Sequence, residues 1–200
     1  MEWEGIAAFF GIPPDLTDDA LLASVFIGDE AEICLRLLPG LNPAYTHHSA
    51  AVSAITCVDW AALDLQTLAA FEHGFLNSPD AKNDPNQPRG MILKNKSARA
   101  AIGDAHDELA AFMDRLADAR PLRLGLLNAR RTHALHRFAA VFLPAFSAAK
   151  QMRGWLDFDD LIRHTRDLLS VRSVAQWVLF RLDGGIDHIL VDEAQDTSPE

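Results

Sequence analysis

The chain has 200 residues, of which 49% are hydrophobic and 23% are charged, and its formal net charge is −10 at pH 7. This composition is typical of a globular protein and argues against intrinsic disorder. No apolar run reaches the roughly 18 to 20 residues needed to cross a bilayer, and acids stand where a signal peptide would carry positive charge, so we expect a cytoplasmic protein without membrane contact.

The charge is distributed unevenly along the chain. Residues 1–80 contain one basic residue against twelve acids, residues 81–153 contain thirteen against six, and residues 154–200 contain four against ten. The middle third is therefore a basic block of net charge +7 between two acidic segments. Such a block is either a set of solvated helix faces or a surface for nucleic acid, and charge alone leaves both interpretations open.

The first 75 residues indicate short helices separated by turn residues. Thr17 is suited to cap the helix that follows it, Gly28 marks a break, and Gly74 is expected to end the last of these helices. Cys34 and Cys57 lie in apolar runs, which predicts two buried thiols without a disulfide.

A possible metal site in the same region is not supported by its spacing. His47, His48 and Cys57 are one and nine residues apart on an Ala-rich helix. This spacing matches no zinc pattern, so we expect no metal there.

The basic block begins with a loop and continues as helices. Residues 77–90 hold three prolines, three asparagines and a glycine, which predicts an exposed loop. A short extended piece is expected at Met91–Lys94, and Ser97 is expected to cap a helix over residues 98–120. A second, amphipathic helix is predicted over 121–154, with a kink near Pro144. Its apolar stripe comprises Leu124, Leu127, Leu135, Phe138 and Phe142.

The character of the chain changes from Gly154 onwards. A helix opened by Asp159 and Asp160 is predicted, because acids suit the positive end of a helix, and a further helix ends at Gly184 and Gly185. The segment 188–192 then predicts a buried strand of the parallel type, with acids at its carboxyl end. Ligands of open α/β sheets bind at that edge.

Two adjacent acids at the end of a strand suggest a specific chemistry. Asp192 is placed to hold Mg²⁺ through a bound water, and Glu193 to take a proton from an attacking water. The alternative is a solvated junction between strand and loop. The residue types alone do not separate these two possibilities.

Two segments carry a resemblance to a known family. "ILVDEAQDTSP" resembles motif II, the Walker B segment, of superfamily 1A DNA helicases, whose Asp-Glu-x-Gln-Asp pattern is matched by Asp192, Glu193, Gln195 and Asp196. "LDFDDLI", residues 156–162, resembles a segment that precedes motif II in the same proteins. The stretch "WVLFRLDGGIDHILVDEAQDTSPE" resembles the AddA-type helicase-nucleases more than the UvrD, PcrA or Rep branches.

The resemblance implies a fold and a division into domains. The expected fold class is mainly α, with residues 1–153 forming the helical 1B insertion subdomain of a superfamily 1A helicase. Residues 154–200 are expected to be the returning part of core domain 1A, a P-loop α/β domain, and to supply terminal helices, one strand and motif II.

The resemblance also implies an activity, with cofactors and partners. The whole protein is expected to be an ATP-dependent 3′ to 5′ DNA helicase and nuclease of double-strand-break repair and recombination, with Mg²⁺ and ATP as cofactors and an AddB-type partner subunit. Asp192 would position Mg²⁺ of Mg-ATP and Glu193 would activate the hydrolytic water, while Gln195 and Asp196 would couple nucleotide state to DNA binding.

Other features leave alternatives open. No Gly-rich segment ending in Gly-Lys-Thr or Gly-Lys-Ser occurs, so residues 1–200 alone are expected to bind no cofactor and to have no ATPase activity. There are two alternatives to an AddA-type fragment. The chain is either a non-catalytic module that docks DNA or protein, or a piece of another superfamily 1A branch.

Two sets of residues are candidates for contact with DNA. Placement in subdomain 1B against duplex DNA favours phosphate contacts from the basic block, although solvated or salt-bridged side chains are the alternative. These candidates are Lys94, Lys96, Arg99, Arg123, Arg130, Arg131 and Arg137. Trp155 and Phe158 are expected to pack as core residues at the seam between insertion and ATPase core, in preference to stacking on a DNA base.

Overall fold

The structure, a computed structural model, describes residues 2–78, 84–170, 176–178, 180–181, 188 and 190. It is mainly helical, as the sequence predicts, and the described residues form no multi-residue strand. The helices are α1 (Trp3–Phe9), α2 (Asp18–Val25), α3 (Glu30–Leu37), α4 (Thr46–Cys57), α5 (Leu65–Phe75), α6 (Gly90–Leu93), α7 (Lys96–Ile102), α8 (His106–Arg153) and α9 (Phe158–Ser170).

The chain divides into two compact units, residues 1–138 and 139–200. The boundary between the units falls inside α8. The predicted division at residue 153 follows the family's domain plan, which is a different criterion from compactness, and it stays a prediction.

The first unit is built around one large apolar core. Phe71, Phe75 and Phe112 are fully buried and pack ring against ring, with centroids 5.7 to 5.9 Å apart. α2 and α4 pack against α5, and α3 packs against α7, so the core joins the N-terminal helices to the middle of the chain. A smaller apolar cluster joins Ile6 and Ile12 to Leu126 of α8.

Side-chain caps fix the starts of several helices in this unit. Thr17 accepts a hydrogen bond from the Ala20 N–H at 3.1 Å, which confirms its predicted role as the N-cap of α2. Asp64 caps α5 in the same way through the Thr67 N–H at 2.7 Å. The prediction that Gly74 ends α5 is wrong, because the helix continues through it to Phe75.

The prediction for the start of the basic block is also wrong in part. The segment expected to be extended at Met91–Lys94 is the short helix α6, Gly90–Leu93. Asn95, not Ser97, is the N-cap of the next helix, since its side chain accepts a hydrogen bond from the Ala98 N–H at 3.0 Å. α7 then ends at Ile102, because Gly103 at its C-cap adopts a φ of 55°, so the helix predicted over residues 98–120 is interrupted there.

The two long helices expected over residues 98–120 and 121–154 are largely one. α8 runs for 48 residues and passes without interruption through Pro121 and Pro144. Its predicted apolar stripe is not a core face: the side chains of Leu124, Leu135, Phe138 and Phe142 are 43%, 65%, 61% and 46% exposed, and Leu127 is half-buried. The apolar face of α8 that is buried carries Leu116 and Leu126 instead.

The second unit contains the end of α8 and all of α9. α9 begins with Asp159 and Asp160 in its first turn, as predicted. Residues 176–178 and 180–181 are helical, which agrees with the further helix expected there. The predicted glycine stop at 184–185 and all but residues 188 and 190 of the predicted strand lie outside the described residues.

The structure confirms the predicted burial of one cysteine and contradicts that of the other. Cys34 is buried as expected and burial raises the pKa of its thiol to about 12, but Cys57 is exposed, which corrects the prediction of two buried thiols. Both thiols are free.

Of the helices that the structure describes, none is both long and apolar enough to span a bilayer.

Candidate nucleic-acid interface

The four motif II residues lie outside the part of the chain that the structure describes. Their predicted roles, with Asp192 at Mg²⁺, Glu193 as base, and Gln195 and Asp196 in coupling, therefore stay predictions. The basic residues of the predicted DNA surface are described, as are Trp155 and Phe158, which were expected to be core residues, and their surroundings differ sharply.

Arg123 of α8 is engaged inside the first unit. Its guanidinium donates two hydrogen bonds to the carboxylate of Glu72, at 2.7 and 2.6 Å, and the Glu72 residue is only 2% exposed. Arg120 lies 3.8 Å from the same carboxylate. A buried acid of this kind needs its cations, so the pairing gives Arg123 a structural role whether or not it also meets DNA.

Arg130 is paired at the surface. Its guanidinium lies 2.7 Å from the carboxylate of Asp18 on α2, and both side chains are 43% exposed. Ion pairs exposed to this degree contribute roughly 0 to 1 kcal/mol. A phosphate can therefore replace Asp18 as the partner of Arg130 at little cost.

The remaining five candidates are all exposed. They are Lys94, Lys96, Arg99, Arg131 and Arg137, and none of them makes an ion pair with another side chain in the described ranges. Lys96 and Arg99 stand one turn apart on α7, whose opposite face is fixed by the buried residues Ala98 and Ile102. These cations remain available for phosphates.

Sequence reasoning did not find the other structural arginines of the basic block. Arg115 donates to the buried carboxylate of Glu30 at 2.5 Å, and Arg120 donates to the Asn77 and Pro85 carbonyl oxygens at 3.2 and 2.8 Å. Their partners lie 35 to 85 residues away in sequence, so neither spacing nor periodicity could reveal these contacts.

Arg89 lies near the carboxyl end of the loop of residues 77–90 and fixes that end. Its guanidinium donates to the backbone carbonyl oxygens of His73 and Leu76, at 2.9 to 3.1 Å. Leu76 and Pro88 also form an isolated bridge. The loop of residues 77–90, predicted from its composition, is therefore fastened at its described ends.

In the second unit, a turn and a charged cluster shape the segment between α8 and α9. Gly154 adopts a φ of 64°, a left-handed conformation that favours glycine, and the Trp155 N–H donates back to the Lys150 carbonyl at 3.0 Å. Lys150 Nζ lies 2.6 Å from Asp157 and 2.5 Å from Asp160. The ammonium group thus bridges two carboxylates across this turn.

The two acids also cap α9 reciprocally. The Asp160 N–H donates to Asp157 Oδ1 at 2.9 Å, and the Asp157 N–H donates to Asp160 Oδ2 at 3.2 Å. This arrangement is a capping box with aspartate at both positions. The hydrogen bond from Lys150, followed by those from the backbone, holds the pKa of both carboxyl groups below the usual range, and the same contacts raise the pKa of Lys150.

The two aromatic residues of this segment are not core residues in the structure. Trp155 is 61% exposed and Phe158 is 84% exposed, which corrects the expected packing. The Arg153 guanidinium lies 4.9 Å from the centre of the Trp155 ring. Beside Trp155 a cleft of about 410 Å³ is lined by Lys150, Arg163 and His164 among others. Exposed aromatic rings with cations around them are typical of surfaces that bind single-stranded nucleic acid.

The histidines near the N-terminus have structural surroundings. His48 is fully buried, its Nδ1 accepts a hydrogen bond from the Asn42 N–H at 3.0 Å, and its Nε2 lies 3.5 Å from the Asn95 amide. The described residues contain no group of three potential metal ligands. The side chain of His47 lies outside the described set.

Comparison with known families identifies the chain. The family model described as the UvrD/REP helicase N-terminal domain matches residues 43–200. The chain belongs to this family. Neither a curated protein nor a solved structure matches it. In this UvrD/REP helicase domain, both the exposed cations and the exposed aromatic pair fall within the matched residues.

Proposed function

We propose that this UvrD/REP-family chain is part of an ATP-dependent DNA helicase of the AddA type, a helicase and nuclease that acts with an AddB-type subunit in double-strand-break repair. The family match over residues 43–200 carries the proposal, together with the motif II residues inside the match. The segment from Trp177 to Glu200 favours the AddA branch, and with it 3′ to 5′ movement and a cytoplasmic location.

The hydrolytic part of the proposal rests on the two acids of motif II. Carboxylate oxygens are the donors that Mg²⁺ prefers, so Asp192 is suited to hold the ion through a bound water. Mg-ATP, when bound, supplies the phosphoryl group that is transferred to water. Glu193 accepts the proton of the attacking water, while Gln195 and Asp196 couple nucleotide state to DNA binding.

A substitution in the full-length protein tests this assignment. Glu193→Gln removes the base but keeps the size and polarity of the side chain, so DNA-stimulated ATP hydrolysis should fall by about 10² to 10⁴ fold while nucleotide binding persists. Glu200→Gln, the same change seven residues later, is the control and should leave hydrolysis intact. Equal hydrolysis by the two variants would show that Glu193 is not the base.

DNA contacts are proposed on two surfaces. Lys94, Lys96 and Arg99 are exposed cations within residues 85–103, a stretch that contains no acid and no aromatic residue. A surface of this composition suits the phosphate backbone of duplex DNA. Trp155 and Phe158, which offer exposed rings, suit the unstacked bases of a single strand.

The salt dependence of binding tests the duplex surface. Changing Lys94, Lys96 and Arg99 together to Gln should reduce the slope of log affinity against log salt concentration by about 2 to 3, because each lost phosphate contact on duplex DNA contributes roughly 0.9. Lys94→Arg combined with Lys96→Arg keeps both positive charges and is the control, so its slope should not change. An unchanged slope in the triple variant would place the duplex elsewhere.

A further inference from the structure

The proposed contact between Phe158 and single-stranded DNA raises the question of what holds this ring in place. Phe158 is the first residue of α9 and is 84% exposed, so little of its side chain is packed against the protein. Its orientation therefore depends on the backbone of the first turn of α9. That turn is fixed by its neighbours Asp157 and Asp160, through their capping hydrogen bonds.

Lys150 ties this turn to the end of α8. Its ammonium group contacts Asp157 on one side of Phe158 and Asp160 on the other, at 2.6 and 2.5 Å. The Lys150 side chain is 15% exposed and that of Asp160 is 12% exposed, so solvent screens the Lys150–Asp160 pair less than an ordinary surface pair, whereas the Asp157 side chain is 50% exposed. Without the ammonium, two like charges would face each other inside one capping box, with Arg163, 3.6 Å from Asp160, as the cation left beside them.

The charge of Lys150 is fully used within the protein. Besides the two carboxylates, the ammonium lies 5.1 Å from the centre of the Phe146 ring, a cation–π contact. An ammonium group has three donors, and two of them serve the carboxylates. Lys150 therefore differs from Lys94, Lys96 and Arg99, which are exposed and make no ion pair with another side chain in the described ranges.

We propose that Lys150 is a positioning residue for single-stranded DNA: by clamping Asp157 and Asp160 it sets the orientation of Phe158, on which a base stacks, and it makes no contact with DNA itself. This inference rests on the proposed binding of single strands at Phe158. Lys150 then affects the affinity for single-stranded DNA through the orientation of Phe158, and not through attraction between its charge and a phosphate.

Binding of a labelled oligothymidylate by the full-length protein, measured by fluorescence anisotropy over a range of salt concentrations, tests the inference. Lys150→Met should weaken binding about tenfold, within the range for loss of one base stacked on an aromatic ring. The slope of log affinity against log salt concentration should not change. A slope reduced by about 0.7 would mean that Lys150 binds a phosphate directly, and would overturn the inference.

A double-mutant cycle shows whether the effect passes through Phe158. If Lys150 acts only by orienting the ring, Lys150→Met combined with Phe158→Ala should bind no more weakly than Phe158→Ala alone. Additive losses would contradict the inference. If Phe158→Ala binds as tightly as the unchanged protein, the proposed single-strand contact itself fails; if only Lys150→Met is without effect, the positioning role alone fails.

Two milder variants keep the test decisive if Lys150→Met disturbs folding. Lys150→Arg keeps a cation that can bridge both carboxylates and should retain affinity within about twofold. Asp157→Asn keeps a good helix cap but removes one charge of the clamp, and should weaken binding less than Lys150→Met does. Loss of affinity in Lys150→Arg equal to that in Lys150→Met would contradict the clamp.

Discussion

Arg123 and Arg131 lie two turns apart on α8, yet their guanidinium groups have very different surroundings. Arg123 makes two hydrogen bonds to the buried Glu72 and its side chain is 12% exposed, whereas Arg131 is exposed and makes no ion pair in the described part of the chain. Because both are arginines on a basic helix, charge patterning treats them alike. Only the position of their long-range partners separates a structural cation from one that is available to DNA.

The contrast predicts a difference in stability. Arg123→Met keeps most of the aliphatic stem but leaves Glu72 buried with one cation fewer, so the free energy of unfolding should fall by about 3 kcal/mol. Arg131→Met, the matched control, should change it by less than about 0.5 kcal/mol. Urea unfolding followed by circular dichroism measures both, and equal values would show that the Glu72 pair contributes little.

The buried carboxylate of Glu30 should make stability depend on pH. Burial raises its pKa, but hydrogen bonds from the Gly28 and Ile27 N–H groups and the charge of Arg115 lower it more, so the pKa lies below its usual value of 4.5. A lowered pKa stabilises the folded state above pH 4.5, and this stabilisation is lost as pH falls through the folded pKa.

The difference in unfolding free energy between the unchanged chain and Glu30→Gln should therefore be largest near neutral pH and shrink below pH 4.5. Urea titrations at a series of pH values measure this difference. Glu32→Gln removes an exposed acid from the same helix and controls for the change in net charge. A difference that stays constant from pH 7 to pH 3 would contradict the role given to Glu30.

At the scale of helices, the contact between α4 and α5 depends on Gly74. A Cβ atom at this position would lie 2.8 Å from the Ala51 Cα and 3.0 Å from the Ala51 nitrogen, both backbone atoms of α4. Helix propensity alone favours alanine over glycine by about 1 kcal/mol. The steric overlap should outweigh this gain, because neither backbone can move without disturbing the core.

Gly74→Ala should accordingly destabilise the chain by about 1 to 3 kcal/mol, the usual cost of overpacking. Gly90→Ala is the matched control: it lies at the start of α6, where a Cβ would meet only the flexible end of Lys94, at 4.0 Å. The thermal midpoints of the two variants, followed by circular dichroism, provide the comparison. A raised midpoint in Gly74→Ala would show that α4 and α5 can separate freely.

The sequence predicts well those helix ends that depend on contacts within one turn, and poorly those that depend on residues distant in sequence. Thr17 and the acids that open α9 act within a single turn, so local pattern finds both helix starts. Gly74 was expected to end a helix because glycine usually does, but its role here is a close approach to Ala51 of α4, which is 23 residues away in sequence and leaves no local signal. α8 is mispredicted for a related reason: propensity favours a helix break at Pro121, whereas Leu116 and Leu126, on either side of that proline, are buried against distant parts of the chain.

The candidate DNA contacts were only partly nominated from the sequence. Residue type and family resemblance are enough to nominate the cations, whereas Trp155 and Phe158 were expected to be core residues. The sequence did not show which of these side chains are accessible to DNA. Arg123 is paired with the buried Glu72, whereas Phe158 is exposed. Burial and pairing depend on residues distant in sequence, such as Glu72, and these contacts have no periodicity from which to infer them.

At the scale of the whole molecule, the match to the UvrD/REP helicase domain begins at residue 43, whereas the apolar core of the first unit also includes residues before that point. α2 packs against α5 and α3 packs against α7, and their apolar residues belong to one core with Phe71 and Phe112. The first 42 residues contribute six of its buried side chains: Leu21, Val25, Ile33, Cys34, Leu37 and Leu41. Glu30, the partner of Arg115, is also among these residues.

Removal of residues 1–42 should therefore prevent the first unit from folding, although the whole family match would be kept. Full burial of an aliphatic side chain contributes about 1.5 to 3 kcal/mol, so the five aliphatic side chains among these six approach the total stability of a domain, about 5 to 15 kcal/mol. Removal of residues 1–12 is the matched control, because it affects only the smaller cluster of Ile6, Ala7 and Ile12 against α8. We expect residues 13–200 to unfold cooperatively at a lowered midpoint, and residues 43–200 to bind a hydrophobic dye and to show no cooperative transition. Cooperative unfolding of residues 43–200 at an unchanged midpoint would mean that α4 to α8 form a complete core without α1 to α3.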